Sequence, residues 1–204
     1  MQKYKVIVSD LGNVLIPFDY DIMLRKIEAV EKGLGDRFQQ RYKENYDVHR
    51  KYEAGEINQE EFLKTMDEWL EHKIDTEEFL HIFSDIFTLN DKVIELLEKL
   101  KPHYRLMLLS NTNAIHQKYG WSKYTFLDMF EKKFLSHEVG AVKPEAKIYK
   151  AVQQYTGALP EEHLFIDDVN DYVQGAKNVG WDAVQYTDYD RLVADLKARG
   201  IKMD

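Results

Sequence analysis

Asp10 stands at the end of a short β-branched run, Val6-Ile7-Val8-Ser9, and is followed at once by Leu11, Gly12 and Asn13. A run of this kind reads as a buried parallel strand. Ligands of open α/β sheets sit outside the carboxyl ends of the strands. A carboxylate leaving an apolar strand there must be paired, hydrogen-bonded or metal-bound, because an isolated buried charge is costly. Taken alone, Asp10 reads equally well as a solvated residue opening an ordinary turn. Two further apolar runs end the same way: Arg105-Leu106-Met107-Leu108-Leu109 runs into Ser110-Asn111, and Leu164-Phe165-Ile166 into Asp167-Asp168. In one parallel sheet these ends share an edge, and Lys143, at the start of a helix, can reach it. The set is a chemical kit. Asp10 and Asp168 suit a hard divalent cation, since Mg²⁺ commonly takes one or two carboxylates plus a substrate phosphate. Ser110 and the backbone around Asn111 can donate to phosphate oxygens, and Lys143 offers a cation to a dianion.

The elements that must position these groups follow from the pattern on either side. Residues from about 19 to 86 carry no strand signal and predict four helices. The first runs from Asp21 to Lys32 and the second from Arg37 to Ala54. Asn58 with Glu61 caps the third and Asp75 with Glu78 the fourth. From Leu89 onward strands alternate with helices. Asp91 opens one helix, Lys143-Pro144 opens another with proline at its first position, and Phe134-Leu135-Ser136 and Ala183-Val184-Gln185-Tyr186 add short strands. Alternation of this kind predicts an α/β fold with a parallel sheet covered on both faces. The helical bundle is then inserted after the first strand.

Composition excludes several classes. The net charge of −8 argues against nucleic-acid binding, which depends on Lys and Arg neutralising phosphates. The absence of cysteine removes disulfides, thiolate zinc sites and cysteine nucleophiles. No apolar run is long enough to span a bilayer, and no signal-peptide hydrophobic region precedes the first strand, so no membrane association and a cytoplasmic location are expected. The seven histidines are scattered without zinc-site spacing.

The four clusters in this order resemble the motifs of the haloacid dehalogenase superfamily. Asp10-Leu11-Gly12-Asn13-Val14 resembles the first motif, Leu109-Ser110-Asn111 the second, Lys143-Pro144 the third and Asp167-Asp168 the fourth. Tyr52-Glu53-Ala54-Gly55-Glu56-Ile57 through Phe62 resembles the cap of a branch containing bacterial α-glucose-1-phosphate phosphatases and the phosphatase domain of soluble epoxide hydrolase. The resemblance implies a Rossmann-like catalytic core over residues 1–17 and 88–204 and a helical cap over 18–87. It further implies a Mg²⁺-dependent phosphatase acting on a small phosphorylated metabolite, with a sugar phosphate as the class suggested; the oligomeric state is left open. Asp10 would be the nucleophile that forms an aspartyl phosphate. Asp10, the Gly12 carbonyl and Asp168 would hold the metal, while Ser110, Asn111 and Lys143 would hold phosphate. Asp167 would orient Lys143 or a metal-bound water.

Two residues depart from the pattern. Most phosphatases of the superfamily carry a second Asp two residues after the nucleophile, as general acid and base, and here that residue is Gly12. Tyr172 stands where relatives often have Asn. The competing activities are a 2-haloacid dehalogenase and a catalytically weakened member that binds a phosphorylated ligand. Substrate selection is expected from the inserted helices, where Tyr46, His49 and Arg50 would share one face of the second helix.

Overall fold

The computed structural model describes residues 3–203. Five strands, β1 (Val6–Ser9), β2 (Arg105–Ser110), β3 (Lys132–Leu135), β4 (His163–Asp167) and β5 (Asp182–Gln185), form one sheet in the order β3-β2-β1-β4-β5. Every pairing is parallel, and β1 is central, with Ser9 level with Leu108 on one side and Ile166 on the other. Strands buried on both faces need apolar residues at successive positions, and these have them. Val6, Val8, Met107, Leu109 and Phe165 pack on one face. Ile7, Leu106, Leu108, Leu164 and Ile166 pack on the other.

Between β1 and β2 the chain first forms α1 (Tyr20–Val30), α2 (Leu34–Glu44), α3 (Tyr46–Glu53), α4 (Gln59–Trp69) and α5 (Thr76–Ser84). These helices share a core of their own around Ile27, Phe38, Phe62, Met66 and Phe83. The chain enters and leaves this insertion through adjacent segments: the Asp19 amide donates to Ile86 and the Thr88 amide to Pro17, at 3.0 and 2.8 Å. The remaining helices are α6 (Asp91–Leu100), α7 (Ser136–Val139), α8 (Ala146–Thr156), α9 (Asn170–Asn178) and α10 (Tyr189–Ala198). Helices α6 and α10 cover one sheet face, and α8 and α9 the other.

Three sequence expectations are corrected. Residues 37–54 are two helices rather than one, so the insertion has five helices, not four. The break is Asn45 (φ −125°, ψ 38°), whose side-chain amide donates to the Arg41 carbonyl at 2.9 Å. Asn competes in this way with helical hydrogen bonds. Tyr46, His49 and Arg50 therefore lie on the third inserted helix. Pro144 does not begin α8, which starts at Ala146; the Lys143–Pro144 bond is cis, and both backbone polar groups of Lys143 are tied to the Asn111 side chain. Finally, Ser136 begins α7 instead of extending β3, because its hydroxyl pairs with the backbone of Thr112.

A π-helical turn (His116–Trp121) after β2 packs against α5. His116 is buried there, with one ring nitrogen 3.1 Å from the Phe83 carbonyl and the other 3.2 Å from the Asn113 amide nitrogen. The first must donate and the second accept, which describes a neutral imidazole. Burial, helped by His49 and opposed by Glu53, pushes its pKa down to about 3. An unfolded histidine takes up its proton near pH ~6.5 and the folded one does not. Stability is therefore complete above that pH and falls below it, by up to about 1.4 kcal/mol per unit. His116→Gln should flatten the fall in urea-unfolding stability between pH 7 and 5; an unchanged slope would show that His116 stays out of the acid transition.

Candidate active site

The nucleophile candidate sits where β1 gives way to a tight loop. The Asp10 amide still donates to the Ile166 carbonyl at 2.8 Å, while the Leu15 and Ile16 amides fold back to the Leu11 carbonyl at 2.9 Å each. The turn needs a left-handed residue, and Asn13 takes it with φ 54°, a conformation asparagine tolerates better than most. Its side-chain amide then reaches Asp168 Oδ2 at 3.1 Å. The Phe18 ring lies close over Gly12: a Cβ at that position would sit 3.1 Å from its Cε1.

Beneath the loop lies a buried ion cluster. Lys143 is fully buried, with Nζ 2.7 Å from Asp10 Oδ1 and 2.6 Å from Asp167 Oδ2. Burial works against the lysine charge, but the two carboxylates outweigh it and hold its ammonium above the usual range. Burial is also the main influence on Asp10 and pushes its carboxyl up to about 8; Lys143 opposes this, and Asp167 and Asp168 add to it. Oxygens of the three carboxylates all lie within 4.8 Å of one another. Three acids thus share one cation, and that surplus of negative charge fits a divalent metal ion.

The free oxygens narrow the donor set. Both Asp167 oxygens are engaged, one by Lys143 and the other by the Val169 amide at 2.8 Å. Among the described residues, Asp10 and Asp168 each keep one carboxylate oxygen without a hydrogen bond. Oxygen donors of this type suit Mg²⁺. The Gly12 carbonyl accepts from the Val14 amide at 2.6 Å, which leaves it a second lone pair.

The cluster opens into a cleft of about 200 Å³ lined by Asp10, Gly12, Asn111, Lys143 and Asp168 below and by residues of the insertion above. Ser110 ends β2 but is not part of this lining; its hydroxyl is 3.3 Å from the Asn111 carbonyl oxygen. Above the cleft, Tyr46, His49 and Arg50 share one face of α3, and the Tyr46 and His49 rings stack at 5.3 Å. His49 is nearly inaccessible, and both its ring nitrogens are occupied, Nδ1 by the Tyr42 hydroxyl at 2.5 Å and Nε2 by Glu53 Oε1 at 3.3 Å. Arg50 Nη1 lies 3.5 Å from Glu53 Oε2. Burial works against the Glu53 charge, but His49 and Arg50 outweigh it and keep its carboxyl below its usual range.

The structure thus gathers Asp10, Gly12, Asn111, Lys143, Asp168, His49 and Arg50 around one cleft, with Asp167 directly beneath it. Sequence reasoning did not assign Glu53, Tyr20 or Phe18, which also line it, and noted Tyr172 only as a departure. Glu53 was within reach: Tyr46, His49, Arg50 and Glu53 follow the i, i+3, i+4, i+7 spacing of one helix face.

A family model described as haloacid dehalogenase-like hydrolase matches residues 4–180. The chain belongs to that family. Within the family it is similar to a D-ribitol-5-phosphate phosphatase of Bacteroides thetaiotaomicron, with 25% identity over 190 residues covering 89% of this chain and 91% of the relative. Among solved structures, the HAD family enzyme BT-2542 of Bacteroides thetaiotaomicron, in complex with magnesium and inorganic phosphate, superposes with a TM-score of 0.80. It is 29% identical, over 93% of this chain and 98% of that one. An L-2-haloacid dehalogenase of Xanthobacter autotrophicus shares the fold at a TM-score of 0.64 and 19% identity, covering 98% of this chain and 84% of that one. Among the described residues no helix is long and apolar enough to cross a membrane.

Proposed function

We propose that this hydrolase is a Mg²⁺-dependent phosphatase of a small phosphorylated metabolite, of the sugar or polyol phosphate class, working through an aspartyl phosphate on Asp10. The observation that carries the reading is the cluster at the cleft floor. Asp10 has one oxygen fixed by Lys143 and the other free, with Asp168 beside it. The phosphatase relative and the neighbour holding magnesium and phosphate support it.

Asp10 Oδ2 attacks phosphorus and the substrate alcohol leaves; water then attacks phosphorus and frees Asp10. Lys143 stays cationic and holds the transferring group together with Asn111; Ser110, which lies outside the cleft lining, would have to turn its hydroxyl from the Asn111 carbonyl to join them. Bound by Asp10, Asp168 and the Gly12 carbonyl, Mg²⁺ would neutralise phosphate charge. Asp167, saturated by Lys143 and Val169, keeps the lysine in place. The insertion acts as the cap over residues 18–87. Arg50 faces the part of the substrate remote from phosphorus, and His49 acts there through the Glu53 carboxylate it binds.

The test is release of inorganic phosphate from sugar phosphates and of halide from 2-haloacids, each with and without Mg²⁺. Phosphate release that depends on Mg²⁺ is expected, with no halide. Asp168→Ala should raise the Mg²⁺ concentration for half-maximal activity by about tenfold or more, since one carboxylate ligand is lost. Halide release without metal would overturn the reading, and wild-type Mg²⁺ titration by Asp168→Ala would remove Asp168 from the metal site.

A further inference from the structure

Two departures from the family pattern meet in this cleft. Position 12, where most phosphatases of the superfamily carry their acid, is a glycine crowded by the Phe18 ring. Tyr172, on α9, brings a phenol to the same cavity.

The hydrogen bonds around Tyr172 fix the direction of its proton. Asn111 Oδ1 accepts from the Lys143 amide at 2.7 Å, so the other side-chain atom must be the NH₂ group. That group donates to the Lys143 carbonyl at 3.1 Å and to the Tyr172 hydroxyl oxygen at 3.3 Å. Arginine has no acceptor, and Arg50 Nη1 lies 3.5 Å from the same oxygen. Both lone pairs of the phenolic oxygen therefore face donors. Its single proton has no acceptor among the described residues, and the cleft is the direction left to it. The phenol also stands beside the reacting centre, since Lys143 Nζ is 5.0 Å from the Tyr172 ring centroid and 2.7 Å from Asp10.

From this geometry we propose that Tyr172 is the proton donor to the ester oxygen that leaves phosphorus, in place of the acid missing at position 12. The assignment rests on the phosphatase reading above. As the bond from Asp10 Oδ2 to phosphorus forms, the bond from phosphorus to the ester oxygen breaks. Its electron pair goes to the departing oxygen, which takes the phenolic proton and leaves as an alcohol. The phenolate is held between the donors of Arg50 and Asn111. When water attacks the aspartyl phosphate, its proton returns to the phenolate, Asp10 is released as carboxylate, and phosphate departs.

The experiment compares p-nitrophenyl phosphate, whose leaving group needs no proton, with phenyl phosphate and D-ribitol 5-phosphate, whose leaving groups need one increasingly. Tyr172→Phe should lower kcat/KM for the two poorer leaving groups by about 10²-fold, and for p-nitrophenyl phosphate by about tenfold less. A loss equal across all three esters, or no loss, would mean that the hydroxyl only props up Asn111 and Arg50, and would overturn the assignment. Wild-type kcat/KM across substituted phenyl phosphates gives a check that needs no variant: a shallow dependence on leaving-group acidity is expected, and a steep one contradicts protonation. Failure of the wild type to release phosphate from any ester would instead sink the phosphatase reading, and this assignment with it.

Discussion

Asp10→Asn should abolish turnover, by on the order of 10⁴-fold or more, while the protein remains folded. The amide is nearly isosteric but has no anionic oxygen to attack phosphorus or to ligate a cation. The geometry explains why folding should survive. Lys143 keeps Asp167 at 2.6 Å when Asp10 loses its charge, so no buried cation is stranded. Burial already weighs against the Asp10 charge, and the neutral amide lightens that load. Phosphate release and a urea-unfolding curve on the same preparation check both halves. Near-wild-type activity in the folded variant would remove Asp10 from the mechanism, and collapse of the fold would show that the Asp10–Lys143 pair is structurally indispensable.

The opposite substitution in the same pair should behave differently. Lys143→Ala strands Asp10 and Asp167 side by side in a largely buried site. Removing one partner of a buried ion pair costs about 3–5 kcal/mol, because the other charge is left uncompensated. Here one lysine serves two carboxylates. Unfolding midpoints measured in chelator should fall accordingly, and Mg²⁺ should restore part of the loss by returning positive charge to the cluster. Activity should drop as well, through poorer handling of phosphate, while the response to Mg²⁺ persists. Stability in chelator equal to that of wild type would mean that Asp10 or Asp167 protonates at little cost, and that the lysine is not what makes the cluster tolerable.

These two residues show why so much of the site could be read from the chain. Asp10, Asp168 and the Ser110-Asn111 pair each end an apolar run, and a parallel sheet has only one edge at which such ends can meet. The sheet and its covering helices were legible for the same reason: fully buried strands must be continuously apolar, and α6 and α8 to α10 show the helical period. What was not legible depended on contacts between distant segments. Asn45 looks like any polar helix residue until its side chain is seen on the Arg41 carbonyl. The start of α8 was misplaced because nothing near Pro144 reveals that Asn111 grips the backbone of Lys143. Tyr172 could be noticed as unusual from the sequence, but the direction of its proton is set by Asn111 and Arg50, which lie on two other elements. His49 carried the right helix face, and its Glu53 partner lies one turn on along the same helix, but its pairing with Tyr42 depends on where α2 lies beside α3.

The central position of β1 bears on how the protein is made. Its neighbours in the sheet are β2 and β4, so β1 has both edges unpaired until residues 105–110 and 163–167 have emerged. The contact between Asn13 and Asp168 spans 155 positions along the chain. Closing loops of that length is slow, and an unpaired strand edge is prone to stray association. Helices α1 to α5 need no such wait, because their core is drawn almost wholly from the stretch between β1 and α6. On the ribosome the insertion can therefore be built while β1 has no partner. Asp167 and Asp168 arrive only with the end of β4, so a nascent or truncated chain ending before that strand carries the helices that cover the cleft, together with Asp10 and Lys143, but lacks the two carboxylates that complete the ion cluster.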